Sequence, residues 1–279
     1  TMPPLVMAGG RFLIAGLLLC AWRFPIAARS GSLPTPQQWL RTAIVGALLL
    51  VGGNGAVSWA EQTVPSGLTA LLVSVVPLWM ALIDRFMNGV RLHAVAIAGL
   101  MIGVVGCVVL VGAPGSSNVP LIGAAVVALG SFLWAAGSIY SRTARLPSDS
   151  FLALGMEMLC GGVMLFAGAA LSGEFGRFHL AAVTSASWIA FVYLIFIGGI
   201  AGFWAYLWLI RNAPTSLVAT YAYVNPVVAV ILGALILHEH LSLQTLLGGS
   251  IIVAAVALIV TSTAAKRVGT TVARGTASR

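Results

Sequence analysis

The chain has 279 residues, of which 60% are hydrophobic and 7% charged, with a formal net charge of +8. A soluble domain carries roughly a quarter charged residues, so this composition excludes a water-facing surface over most of the molecule and makes lipid its solvent. The basic excess lies in short segments between apolar runs, which points to membrane topology before nucleic acid.

A membrane span needs about 20 mostly apolar residues. Nine runs qualify in chain order: Pro4–Trp22, Trp39–Ala60, Pro65–Ile83, Leu92–Gly112, Pro120–Tyr140, Ser150–Leu171, Trp188–Ile210, Pro214–Leu237 and Leu241–Thr261. They are continuous rather than alternating, so helices are expected and strands are not. Thr35-Pro36-Gln37-Gln38 reads as a helix start, with Trp39 as an interfacial anchor. Pro65 and Pro214 open spans, where a missing N–H costs nothing. Pro77 and Pro226 fall mid-span, and each frees a carbonyl four residues back, on Val73 and Ala222. Freed backbone in a membrane needs a partner or a water-lined cavity, so both prolines are read as helix breaks with a gating role.

Placing the loops on alternate sides puts twelve basic residues on one side and Arg177 alone on the other. The twelve mark the cytoplasm, and the basic C-terminal tail lies there with them.

The stretch from Trp39 to Val111 can be laid on Trp188 to Val260 without a gap, at an offset of 149 (188 − 39). Trp39 falls on Trp188, Gly53 on Gly202, Pro65 on Pro214 and Pro77 on Pro226. Two spans precede the second copy and one precedes the first. The expectation is an all-α integral membrane protein of two five-helix repeats, with the first helix absent from this chain and nine spans present. An odd number of spans per repeat makes the repeats inverted in topology. Residues 1–112 then form the first half, 113–119 an external linker, 120–263 the second half and 264–279 a cytoplasmic basic tail.

Polar and aromatic side chains line up on several spans. Asn54 and Ser58 share a helix face, as do Ser131, Trp134 and Ser138. Phe203 and Tyr206 form a third pair, and Tyr221 and Asn225 a fourth. Lipid offers these groups no hydrogen bonds, so they are expected to face inward. With Trp79 they are assigned to a substrate pocket, in which Trp134 is an apolar wall between two hydroxyls. Arg11 and Glu157 are intramembrane charges and therefore functional candidates. They enter from opposite sides and differ in depth by about 9 Å at 1.5 Å per residue. The two histidines of His238-Glu239-His240 are two residues apart and do not share a helix face, so no metal site is assigned. Cys20, Cys107 and Cys160 read as packing residues. No cofactor is implied.

Arg11-Phe12, Pro65-Ser66-Gly67-Leu68, Pro214-Thr215-Ser216-Leu217, Asn225-Pro226 and Glu239-His240-Leu241-Ser242, in this order, resemble the EamA family of the drug/metabolite transporter superfamily, and within it the YddG-type amino-acid exporters. The family carries an acidic residue before the last span of each half; Glu239 stands there in the second half, but Val90 in the first. The resemblance implies two five-span halves in the bacterial inner membrane. It implies a secondary transporter exporting amino acids or similar small amphipathic metabolites by alternating access. Its partners are then a small solute and membrane lipid, with no nucleic acid, and the protein works as a monomer. Few buried carboxylates favour facilitated export over proton antiport. The alternative class is an integral membrane enzyme acting on lipid or isoprenoid substrates. Such an enzyme needs clustered carboxylates or histidines, and the six acidic residues are scattered along the chain.

Overall fold

The computed structural model describes residues 2–64, 69, 72–89, 94–111, 121–225, 227–228, 243–244 and 246–259, and among them every regular element is helical. The main helices are α1 (Pro4–Arg29), α2 (Pro36–Ala60), α3 (Val76–Asn88), α4 (Ala94–Val111), α5 (Leu121–Thr143), α6 (Ser150–Leu171), α7 (Ser185–Asn212) and α8 (Leu246–Ile259). Five of these, α1, α2, α5, α6 and α7, are long and apolar enough to cross a membrane.

Local chemistry sets the helix ends. Thr35 and Gln38 close a capping box at the start of α2: the Gln38 N–H donates to Thr35 Oγ1, and the Thr35 N–H to Gln38 Oε1. Thr184 caps α7 by accepting from the Ser187 N–H at 3.3 Å. Pro36 and Ser185, the two helix starts, stand 149 residues apart (185 − 36). Both helices widen to π-helical winding in their middles, at Ala47–Gly55 and Leu194–Ala201. Such winding is rare and recurs at functional sites. Pro77 lies in the first turn of α3, which begins after a turn at Ser74–Val75. Pro226 lies outside the described residues, as do Pro65–Leu68, Val90 and His238–Ser242.

The chain divides into two compact units. The first contains residues 1–63 and 125–212; the second contains 64–124 and 213–279. Each unit thus draws on both halves of the chain. The borders after Thr63 and Asn212 are again 149 residues apart (212 − 63).

In the first unit α1 packs along α6. Lipid tails are as apolar as the side chains, so close backbone approach must supply the attraction. Gly16 of α1 and Gly155 and Gly162 of α6 allow that approach. One end of the pair is fixed by charge. Asp149 caps α6, accepting from the N–H groups of Phe151 and Leu152, and Arg23 Nε donates to it at 2.7 Å. Burial alone would raise this carboxyl, but the hydrogen-bonded Arg23 guanidinium and the two amides hold it below the usual carboxylate range. At the other end Glu174 accepts from the N–H groups of Leu5 and Val6, at 2.9 and 3.1 Å, and so closes the start of α1.

The second unit is built on Tyr223. Its ring is fully buried among Leu100, Cys107, Ile252 and Ile259, and its hydroxyl donates to the Leu100 carbonyl at 3.0 Å. Asp84 is buried too, and accepts from Thr215 Oγ1 at 2.7 Å and Asn88 Nδ2 at 2.8 Å. Asp84 lies near the end of α3, and the hydroxyl of Thr215 draws it inside.

The end of the first unit that gathers Arg23, Arg41 and Arg145 is assigned to the cytoplasm by the positive-inside rule. A single cysteine at Ser172, with the three native cysteines replaced by alanine, is expected to react with an impermeant maleimide in intact cells. One at Ser148 is expected to react only after permeabilisation. The opposite pattern would invert the topology.

Candidate functional site

Seven of the assigned pocket residues fall in the first unit, and the structure joins five of them to Arg11. The row begins at Arg11, whose guanidinium lies 4.6 Å from the Phe12 ring centre. Phe12 meets Phe203 edge-on at 5.5 Å, and Phe203 meets Trp134 edge-on at 5.7 Å. Trp134 lies against Tyr206 at 5.4 Å. These separations suit favourable aromatic pairing. Four helices contribute: α1 gives Arg11 and Phe12, α2 gives Asn54, α5 gives Trp134 and Ser138, and α7 gives Phe203 and Tyr206.

The polar groups around Trp134 close into a ring. Trp134 Nε1 donates to the Tyr206 hydroxyl at 3.1 Å. Ser138 Oγ donates to the Trp134 carbonyl at 2.7 Å. That uses the single serine proton, so the 2.6 Å contact between Ser138 and Tyr206 has tyrosine as donor. Ser131 Oγ donates to the Ala128 carbonyl of its own helix. The two hydroxyls expected to meet a solute are therefore engaged within the protein, which holds Trp134 in one orientation. Gly53 seats the ring, since a Cβ there would come within 2.6 Å of Trp134. Gly53 and Asn54 both lie in the π-helical part of α2.

Arg11 donates to Asn54 Oδ1. It is 9% exposed, and its Nε is buried without a hydrogen-bond partner. Glu157 is fully buried, and neither carboxylate oxygen has a hydrogen-bond partner. The charge acting on it is that of Arg211 on α7. Arg211 Nη2 is itself buried and unpartnered. Arg11 meets Asn54 on α2, and no hydrogen bond joins it to Glu157. Ser58 is half-buried, one turn beyond Asn54. Trp79, Tyr221 and Asn225 belong to the second unit, where the first two are half-buried and Asn225 is exposed. A cavity of about 280 Å³ opens in the first unit, lined by Leu5, Val51, Gly55, Ala56, Trp59, Val126, Met164, Leu165 and Gly168. Its lining is apolar and contains none of the candidate residues.

The EamA-like transporter family matches residues 1–112 and 121–261. The chain belongs to this family. It is 40% identical over 259 residues to the uncharacterised inner membrane transporter YedA of Escherichia coli K12, a match covering 92% of this chain and 81% of that protein. It is 24% identical over 268 residues to a probable amino-acid metabolite efflux pump of the same organism, covering 90% and 83%. A protein of known crystal structure shares the fold with a TM-score of 0.76 at 22% identity, covering 93% of this chain and 89% of that one. This EamA-like chain is thus a membrane transporter.

Some parts of the site escaped the sequence reading. Phe12 sits beside Arg11 in the family motif, but its role as the ring linking Arg11 to Phe203 needs the crossing of α1 and α7. Arg211 looked like an ordinary flanking charge, and only the packing of α7 on α6 relates it to Glu157.

Proposed function

We propose that this EamA-like protein exports amino acids or similar small amphipathic metabolites across the inner membrane, by alternating access between two inverted repeats. Export is facilitated, driven by the solute's own gradient, and the C-terminus lies in the cytoplasm. Recurrence at 149 residues supports the repeat reading: it relates the starts of α2 and α7, their threonine caps and the borders of the compact units. The relative named as an amino-acid efflux pump supports the substrate class.

The row of rings from Phe12 to Tyr206 carries the reading. Phe12 and Phe203 are buried in it, while Trp134 and Tyr206 are half-buried and give an apolar surface held by internal hydrogen bonds and backed by a buried cation. Such a surface suits a solute with one apolar and one polar end, and it offers no cluster of nucleophile and base that an enzyme would need.

Proteoliposomes loaded with labelled amino acids test this. Efflux is expected to follow the solute gradient and to be unchanged by an imposed pH gradient at fixed solute gradient. A rate that tracks the pH gradient would exclude facilitated export. No efflux of any amino acid would exclude the substrate class.

A further inference from the structure

We infer that Arg11 is the anchor for a carboxylate on the transported solute, so that the substrate class is carboxylate-bearing amphiphiles and not neutral or cationic ones. This rests on the export reading above and assigns its specificity to one residue.

Among the described residues no carboxylate accepts a hydrogen bond from Arg11. A guanidinium inside a membrane span is costly without an anion. Arg11 is nine-tenths buried, yet the group that accepts from it is the neutral amide oxygen of Asn54. Its five N–H donors form a planar fork suited to two carboxylate oxygens, and Nε has no partner.

The unit's own carboxylates are engaged or placed elsewhere. It holds four acidic residues, Glu61, Asp149, Glu157 and Glu174. Asp149 pairs with Arg23. Glu174 accepts from the backbone at the start of α1. Glu157 accepts no hydrogen bond from Arg11 or any other group. Glu61 is exposed at the end of α2, seven residues past Asn54, or about 10 Å along the helix. The nearby hydroxyls offer no alternative anchor, because Ser131 and Ser138 donate to backbone carbonyls of α5 and Tyr206 donates to Ser138. Among the described residues of this unit no carboxylate bonds Arg11, and a carboxylate on the solute would complete its fork. Trp134, a half-buried ring of the row, then receives the solute's apolar part, with Phe203 and Phe12 packed between it and Arg11.

The test compares an amino acid with its own amide, for example leucine with leucinamide, in the reconstituted full chain. Wild type is expected to transport the acid about ten- to a hundredfold better than the amide, the range of a charge-assisted hydrogen-bond pair. Arg11→Gln is expected to lose that preference. Asn54→Asp guards against a folding artefact. It keeps the side-chain shape and supplies Arg11 with an internal anion, so it should raise the melting temperature while lowering acid transport at least tenfold. A purely structural Arg11 predicts the same rise in melting temperature with transport unchanged, and that result would overturn the inference. Equal transport of acid and amide by wild type would overturn it while leaving the export reading intact. Transport of neither would remove both.

Discussion

Gly16→Leu is expected to leave little folded protein. A Cβ at Gly16 would lie 2.7 Å from the Leu159 amide nitrogen and 2.9 Å from the Gly155 carbonyl oxygen. Both are backbone atoms of α6, and neither can turn aside as a side-chain tip can. Helices α1 and α6 would have to separate, losing the close approach that holds them in lipid. Overpacking a tight contact costs about 1–3 kcal/mol and sometimes more, and a rigid backbone neighbour puts this substitution at the upper end. The displacement would also move Arg11, five residues earlier on the same helix, away from Asn54. Fluorescence-detected size exclusion after heating measures the loss. Gly168→Ala is the control, because its Cβ would meet Leu5 at an ordinary 3.8 Å. It should melt within error of wild type. A Gly16→Leu protein that melts with wild type would show that α1 and α6 do not pack this closely.

How far the sequence reveals this fold depends on which physical term decides each feature. Run length and hydropathy decide spanning helices, so Ser150–Leu171 was read with the ends it has. The start of α2 was legible because Thr35 and Gln38 form a local cap. The end of α1 was not: hydropathy stops at Trp22, but the helix continues through Pro25 to Arg29. Contacts from other segments hold that extension, through Arg23 on Asp149 and Phe24 beside Trp39. The π-helical middles of α2 and α7 were hidden for another reason. A uniformly apolar run has no polar stripe whose period could distinguish one winding from another. Within the candidate site, shared-face spacing groups Trp134 with Ser138, and Phe203 with Tyr206, and the structure brings these four side chains together. It could not tell whether the serine hydroxyls face a solute or a neighbouring helix, which depends on where α7 crosses α5.

Trp134→Ala is expected to reduce export at least tenfold and to lower stability as well. The ring fills the seat at Gly53, contacts Phe203 and Tyr206, and is half-buried. Deleting a fully buried tryptophan costs about 3–5 kcal/mol, so about 2–3 kcal/mol is expected for one that is partly exposed. That loss alone could mimic a transport defect, so Trp134→Phe is the informative partner. Phenylalanine keeps an aromatic face against Phe203 and removes the N–H donated to Tyr206. Tyr206 still donates to Ser138, and no buried donor is left over, which keeps the penalty small. If the ring is a wall for the solute's apolar part, Trp134→Phe should restore stability and most of the export, with its remaining defect varying with the size of the solute's side chain. If Trp134 only spaces α5 from α7, the residual defect should be uniform across solutes and follow the melting temperature. A folded Trp134→Ala protein that exports the whole panel at the wild-type rate would remove Trp134 from the site.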